Sequence, residues 1–207
     1  MLPLDHILWA VPNLEDGIEN FERLSGVRPA IGGRHPGRGT CNALASLGDD
    51  VYFEVISVDP EQTLDNNLGT AIKALPHSGL FTFAVQCRDL EGLGEAAARA
   101  GIPFRGPEAW SRAQPNGPEL RWRMAFTEGT KFGNLLPFYI DWLNTPHPST
   151  TQPTGLSLVT FEVMHPQADE LTSIYRVLGI DVAVRRSDRP AMRAVLSGPS
   201  GEFVLNS

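Results

Sequence analysis

Residues 4–26 read LDHILWAVPNLEDGIENFERLSG, and residues 79–101 read GLFTFAVQCRDLEGLGEAAARAG. Both open on a strand-like apolar run and continue into a stretch of helical spacing that a glycine closes. In the first, Pro12 ends a strand over 4–11. Asn13 is placed to cap a helix over 14–24, Glu15 and Asp16 fall in its first turn, and Ser25-Gly26 stops it. In the second, 80–87 is the strand, 90–100 the helix and Gly101 its stop. Asn13-Leu14-Glu15-Asp16 lies over Asp89-Leu90-Glu91-Gly92, an offset of 76 residues from Leu14 to Leu90. A strand and helix that recur at a fixed offset mark one supersecondary unit used twice.

Working outward, the segment GGRHPGRG at 32–39 is too rich in Gly and Pro for regular structure. A short strand is expected at 28–31. Strands at 40–47 and 51–58 form a hairpin around Gly48-Asp49-Asp50. The first unit, 1–58, is therefore β-α-β-β-β. The second, within 59–143, adds a short strand from 103–105 and strands at 120–127 and 136–142, after a connection at 59–78 with room for a short helix. A third, degenerate unit is expected over 156–207: a strand at 158–164, a helix at 167–178 and strands at 182–185, 191–197 and 202–205. The connection at 144–155 is rich in Pro, Thr and Ser, which predicts an exposed linker. The fold class is α+β, with repeated βαβββ units.

The composition narrows the partners. A net charge of −7 and no basic run argue against nucleic acid, whose phosphates reward a basic face. The N-terminal residues have no basic region followed by a long apolar run, and no stretch is apolar for long enough to span a bilayer, so a cytoplasmic protein without a membrane partner is expected. The two cysteines, Cys41 and Cys87, fall in strand-like runs and read as small buried hydrophobes.

Strand alternation sorts side chains into faces. His6, Leu8 and Ala10 share one face of the first strand. Tyr52, Glu54 and Ile56 share one face of 51–58, and Thr40, Asn42, Leu44 and Ser46 one face of 40–47. In the second unit Thr82, Ala84 and Gln86 oppose Phe81, Phe83 and Val85. Arg121 and Arg123 oppose Leu120, Trp122, Met124 and Phe126, and Tyr139 and Asp141 oppose Phe138, Ile140 and Trp142. Reading each apolar face as the helix-covered one leaves the polar faces either solvated or gathered into a half-apolar cavity. The tyrosines and leucines among the charges favour a cavity for a small-molecule ligand.

The opening LDHILWAV, the helix after it and the stretch HPGRGTCNALASLGDDVYFEVI resemble the glyoxalase-like branch of the vicinal oxygen chelate superfamily, over residues 4–142. The resemblance implies paired βαβββ units whose curved mixed sheets form a cup with helices outside, and metal ligands on the first and last strand of each unit. His6 and Glu54 match those positions in the first unit. Thr82, by the 76-residue offset, and Asp141, by the likeness of YFE to YID, are their counterparts in the second. Thr82 stands where the family often has His, Glu or Gln. The third unit puts Thr160 opposite His6 and offers no inward acid, so its expected role is packing, against the same chain or against a second copy in a homodimer.

His6, Glu54 and Asp141 would give a divalent metal ion one nitrogen and two carboxylate ligands with open positions. The alternative is that His6 hydrogen-bonds inside the barrel and the acids pair with Arg121 and Arg123. Those arginines either anchor an acidic substrate through their forks or serve as such partners. Asn42, Tyr52, Tyr139 and Thr82 complete the expected substrate contacts. Glu54 and His35 are the candidate proton-moving groups, His35 from a loop at the rim. Two functions stay open: a metal-dependent lyase or isomerase acting on a small oxygen-rich substrate, and a non-catalytic sequestering protein of the same fold.

Overall fold

The computed structural model describes residues 1–48, 50–114 and 117–207; Asp49 of the expected hairpin turn lies outside them. The first unit consists of β1 (Leu4–Val11), α1 (Leu14–Ser25), β2 (Ala30–His35), β3 (Thr40–Gly48) and β4 (Val51–Val58). A short helix, α2 (Leu68–Lys73), leads to the second unit: β5 (Gly79–Gln86), α3 (Leu90–Arg99), β6 (Phe104–Gln114), β7 (Gly117–Thr127) and β8 (Phe138–Asp141). The last quarter adds β9 (Ser157–His165), α4 (Ala168–Leu178), β10 (Ala183–Arg186), β11 (Ala191–Gly198) and β12 (Gly201–Asn206).

The first two units share one eight-stranded curled sheet in the order β2-β3-β4-β1-β5-β8-β7-β6. In each, the first strand pairs parallel with the last, β1 with β4 and β5 with β8. The two units join where β1 and β5 pair antiparallel. This is the mixed, curled α+β sheet that the sequence implies. α1 is capped by the Asn13 side chain on the Asp16 N–H and ends in a left-handed Gly26 at φ 78°. It lies so close to the sheet that a Cβ at Gly17 would sit 2.6 Å from a Val11 methyl.

Two stretches are more regular than their composition suggests. Gly32 to His35 belongs to β2, whose Arg34 and His35 pair with Cys41 and Thr40 across a bulge near Gly33. β2 is an edge strand, where a bulge costs little pairing, so only residues 36–39 turn. His35 is therefore fixed at a strand end and is not a loop residue. β6 is likewise long, paired along β7 from Phe104 opposite Thr127.

The C-terminal elements keep the β-α-β-β-β order but not the pairing. Their sheet runs β10-β9-β11-β12, so the first strand pairs parallel with the second and lies inside the sheet. This sheet and α4 cover the helix side of the cup. Phe203 meets Phe21 of α1 with ring centroids 5.8 Å apart, and Phe161 meets Phe83 of β5 at 5.0 Å. The Tyr175 hydroxyl donates to the Leu135 carbonyl. Leu2 bridges to Ile180, accepting a hydrogen bond from the Asp181 N–H at 3.0 Å. One apolar core runs through all three groups of strands. The partner that the third group needs is the same chain.

Candidate active site

β1 lies at the centre of the large sheet, and its parallel register with β4 sets His6 beside Tyr52 and Leu8 beside Glu54. The antiparallel β3 brings Asn42 beside Ile56 and Leu44 beside Glu54. His6, Leu8, His35, Asn42, Tyr52 and Glu54 all line the concave face of the cup, a cavity of about 570 Å3. Thr82 lines it too, its hydroxyl donating to the Asn134 carbonyl at 3.3 Å. Phe81 also turns inward, because a bulge at this point of the β1–β5 pairing sets Leu80 opposite Trp9 and Thr82 opposite Leu8.

The polar groups form a connected set. His6 is 2 % exposed and Glu54 5 %. The Asn42 amide donates to Glu54 Oε1 at 2.7 Å, and its nitrogen lies 3.3 Å from His35 Nε2. With that nitrogen accepting, His35 Nδ1–H faces the Thr40 hydroxyl at 2.9 Å. His6 Nε2 faces Glu54 Oε2 at 3.4 Å, and the His6 ring stacks on Tyr52 with centroids 4.3 Å apart. Behind His6 lies Asp5, completely buried, whose Oδ1 is 2.5 Å from His6 Nδ1. Its Oδ2 accepts from Trp142 Nε1 at 2.9 Å and from His147 Nε2 at 3.1 Å. Burial alone would raise the Asp5 carboxyl, but the hydrogen bonds from His147 and His6 outweigh it and hold the group below its usual value. Asp5 therefore stays ionised and accepts a hydrogen bond from His6 Nδ1–H, which leaves Nε2 facing the cavity.

Asp5 and His147 escape a reading by alternation. Asp5 belongs by parity to the helix face with Ile7 and Trp9, but a bulge in the β1–β5 pairing falls on it. His147 comes from the connection expected to be an exposed linker. That connection is pinned instead: Pro148 and Ser149 are buried at a short 3-10 turn, and the Pro153 carbonyl accepts from the Ser46 N–H at 2.8 Å. The one sequence signal was an acid inside an apolar strand, since a buried carboxylate has to find partners.

The second unit presents the opposite face to the one expected. Leu120, Trp122, Met124 and Phe126 of β7 line the cavity, as do Phe138, Ile140 and Trp142 around β8 and Trp110 of β6. Tyr139, Asp141, Arg121 and Arg123, expected as substrate and metal contacts, lie on the other side. Tyr139 is fully buried in the helix-side core, its ring 5.7 Å from Phe104, and burial pushes its phenol well above the usual range. Asp141 accepts from Arg123 Nη2 at 2.9 Å and from the Leu143 N–H at 3.0 Å. Arg123 reaches on to Glu91 of α3 at 2.6 Å. Arg121 is exposed, with its backbone N–H on the Thr145 hydroxyl at 3.1 Å. Alternation grouped these side chains correctly. Polarity then picked the wrong group as inward, because in this half the acid and the arginine satisfy each other outside and rings fill the cup.

This settles the fit of the expected metal set. His6 and Glu54 face the cavity, Asp141 faces away in a salt bridge, and among the described residues of β7 and β8 no carboxylate or imidazole lines the cavity in its place. Among the described residues no group of three or more His, Cys, Asp or Glu side chains is arranged to hold a metal ion. The residues present do not fit the three-ligand site. Cys41 and Cys87 are free thiols that burial pushes upward in pKa, in keeping with a packing role. No helix among the described residues is long and apolar enough to cross a membrane.

Comparison with solved structures places the fold. A hypothetical protein from Staphylococcus aureus superposes over 99 % of this chain and 85 % of its own, with TM-score 0.68 and 16 % identity. Methylmalonyl-CoA epimerase from Mycobacterium tuberculosis matches 66 % of this chain and 85 % of its own, with TM-score 0.51 and 20 % identity. A variant of the Streptomyces coelicolor methylmalonyl-CoA epimerase, in complex with 2-nitronate-propionyl-CoA, matches 72 % of this chain and all of its own, with TM-score 0.52 and 16 % identity. At such identities the likeness is one of fold. The Staphylococcus match, running over nearly the whole chain, shows that the C-terminal sheet is not peculiar to this protein. A search of curated proteins finds no match. The family model for the glyoxalase-like domain matches residues 4–179, and the chain belongs to that family, within the vicinal oxygen chelate superfamily.

Proposed function

We propose that the protein is a lyase or isomerase that moves a proton on a small oxygen-rich molecule, with Glu54 as the group that takes it. The observation that carries this reading is the setting of Glu54. Its Oε1 is held by the Asn42 amide at 2.7 Å, while Oε2 faces His6 Nε2 at 3.4 Å beside the cavity. With the Nδ1 proton of His6 committed to Asp5, Nε2 and Oε2 are both acceptors. At 3.4 Å they lie close enough for a proton from a ligand to pass between them. Such a pair is built to take up a proton and give it back. His6 is the return partner and Asp5 a positioning residue that fixes its ring. His35, linked to Glu54 through Asn42, is the second imidazole within reach of a ligand. No step passes through a metal, because the expected ligand set does not assemble.

The test needs no known substrate. A panel of enolisable 2-oxo and 2-hydroxy acids and thioesters is incubated with the protein in D2O, and deuterium incorporation is followed by NMR. At least one compound is expected to exchange, with Glu54→Gln lowering the rate by about a hundredfold or more, the usual weight of a general base. Exchange that Glu54→Gln leaves intact refutes the assignment.

The second reading is a binder that sequesters its ligand without chemistry. The wall of rings from Trp110 to Trp142 supports it, since a catalytic role does not require them. Binding without exchange across the panel, insensitive to Glu54→Gln, selects it.

A further inference from the structure

Resting on the reading of this cavity as a ligand site, we propose that its ligand is a carboxylate with a planar, ring-sized body, the acid group seated on Arg38 at the mouth. Arg38 lies in the turn after β2, with a fixed backbone: its N–H donates to the His35 carbonyl at 3.0 Å and its carbonyl accepts from the Gly69 N–H at 2.8 Å. Its guanidinium carbon sits 4.0 Å over the Trp110 ring, on the strand at the opposite edge of the sheet. Stacking occupies the face of a guanidinium and leaves its edge, where the N–H donors point, open. Among the described residues the Arg38 side chain donates no hydrogen bond, and its one ion pair, with Glu108, is at 3.7 Å.

Arg105 at the same mouth is the contrast. It lies 4.3 Å over Phe126, but its fork is filled by Glu108 and Glu128. Two carboxylates and Arg105 therefore satisfy one another, and Arg38 is left as the cation with an unfilled edge. Burial and the Arg105 charge both press the Arg38 group toward neutrality, which an incoming anion relieves. A carboxylate matches the fork with two parallel hydrogen bonds.

The wall beyond Arg38 defines the body. Trp110 and Trp122 stack with centroids 6.5 Å apart, and Trp122 and Trp142 lie 5.6 Å apart. A continuous wall of ring faces rewards a flat apolar body over a branched one. The cavity, about 570 Å3, falls in the range that holds one drug-sized molecule. A bare inorganic anion gains nothing from the wall, and an uncharged ring leaves the N–H edge of Arg38 unfilled.

Arg38 also joins the two edges of the sheet, so the test separates a clasp from a ligand anchor. 2-Naphthoate and the isosteric 2-naphthamide are titrated by calorimetry and tryptophan fluorescence against the wild type, Arg38→Gln, Arg38→Lys and Glu54→Gln. The wild type is expected to bind the carboxylate about tenfold or more tighter than the amide, the scale of one bidentate charged contact. Arg38→Gln brings the two ligands to equal affinity, and Arg38→Lys gives an intermediate preference with an unchanged melting temperature. Equal affinities in the wild type, no binding of either, or an Arg38→Gln loss that strikes both ligands alike overturns the proposal; the last leaves Arg38 a clasp. Should Arg38→Gln fail to fold, Arg38→Lys decides: a preference undiminished from the wild type refutes the anchor. Glu54→Gln keeps the preference if the ligand class is right, so failure of the proposed proton transfer is read separately, in the exchange experiment.

Discussion

The two halves of the cup are built from the same βαβββ unit and carry opposite chemistry on their inner faces. The first half points His6, His35, Asn42 and Glu54 inward, each with a polar partner. The second points Trp110, Trp122, Phe126, Phe138 and Trp142 inward and sends Arg123 and Asp141 outside to each other. One backbone thus separates a polar wall, the reacting side of the proposal, from an aromatic wall, its holding side. The fold fixes which residues share a face, and the neighbours on each side decide which face turns in. On their outer sides the halves are alike, since α1 and β5 both pack against the C-terminal sheet.

That shared outer need gives the largest expected effect. Ending the chain at residue 155 strips the cover from Phe21 and Phe83, removes Tyr175 from the Leu135 carbonyl and frees Leu2 from Ile180. Several large apolar side chains, each worth roughly 1.5–3 kcal/mol of burial, are lost together, against a total stability of about 5–15 kcal/mol. The truncated protein is expected to be insoluble or to lack a cooperative melting transition. A soluble fragment that melts like the parent would mean the halves stand without their cover.

Next in size is Asp5→Asn, which attacks the reacting half from beneath. It leaves His6, His147 and Trp142 facing an amide in place of a buried carboxylate, at a cost of about 3 kcal/mol at neutral pH. The sign of the pH dependence follows from the depressed Asp5 carboxyl. Its contribution is fully present above the unfolded-chain value of about 3.9 and disappears as the pH falls through the folded value. The stability gap between wild type and variant, measured by urea unfolding, should be steady from about pH 5 to 8 and close below about pH 4. A gap that is constant down to pH 3 would show that Asp5 is not the ionised anchor.

The holding half is probed by Trp122→Leu, expected to weaken 2-naphthoate about tenfold through loss of ring contact while leaving the preference for carboxylate over amide unchanged. Loss of that preference would place the anion near Trp122 and away from Arg38.

The βαβββ pairs were legible because they rest on local signals: an apolar run, a cap and a closing glycine, all repeated at 76 residues. His6, Asn42, Glu54 and Thr82 were legible as sharing a strand face with their neighbours, whereas His35, read as a loop residue at the rim, reaches the cavity from the end of β2. What the sequence left hidden are contacts made across long separations. The Asp5–His147 bond spans 142 positions, and the Arg38–Trp110 stack joins opposite sheet edges. The pairing of the C-terminal sheet was hidden for the same reason. β-α-β-β-β is the same string of elements in all three groups, and only tertiary contacts decide whether the first strand pairs parallel with the last or with the second.

The smallest effect is the sharpest test of the asymmetry between the halves. Asp141 was expected as a metal ligand by the likeness of YID to YFE, and the fold makes it the outer partner of Arg123, which is itself partly exposed. Solvent screening limits such a pair to about 1 kcal/mol or less. Asparagine at this position can still accept from the Leu143 N–H, which now meets a carboxylate oxygen at 3.0 Å. Asp141→Asn should therefore lower the melting temperature only slightly. It should leave 2-naphthoate affinity unchanged, and the zinc, manganese or iron content of protein purified without chelator should equal that of the wild type. Glu54→Gln, in parallel, should change the exchange rate and not the melting behaviour of the second half. A fall in metal content with Asp141→Asn would turn β8 around: the acid would then face the cavity in the working protein, and the division into a reacting and a holding wall would fail.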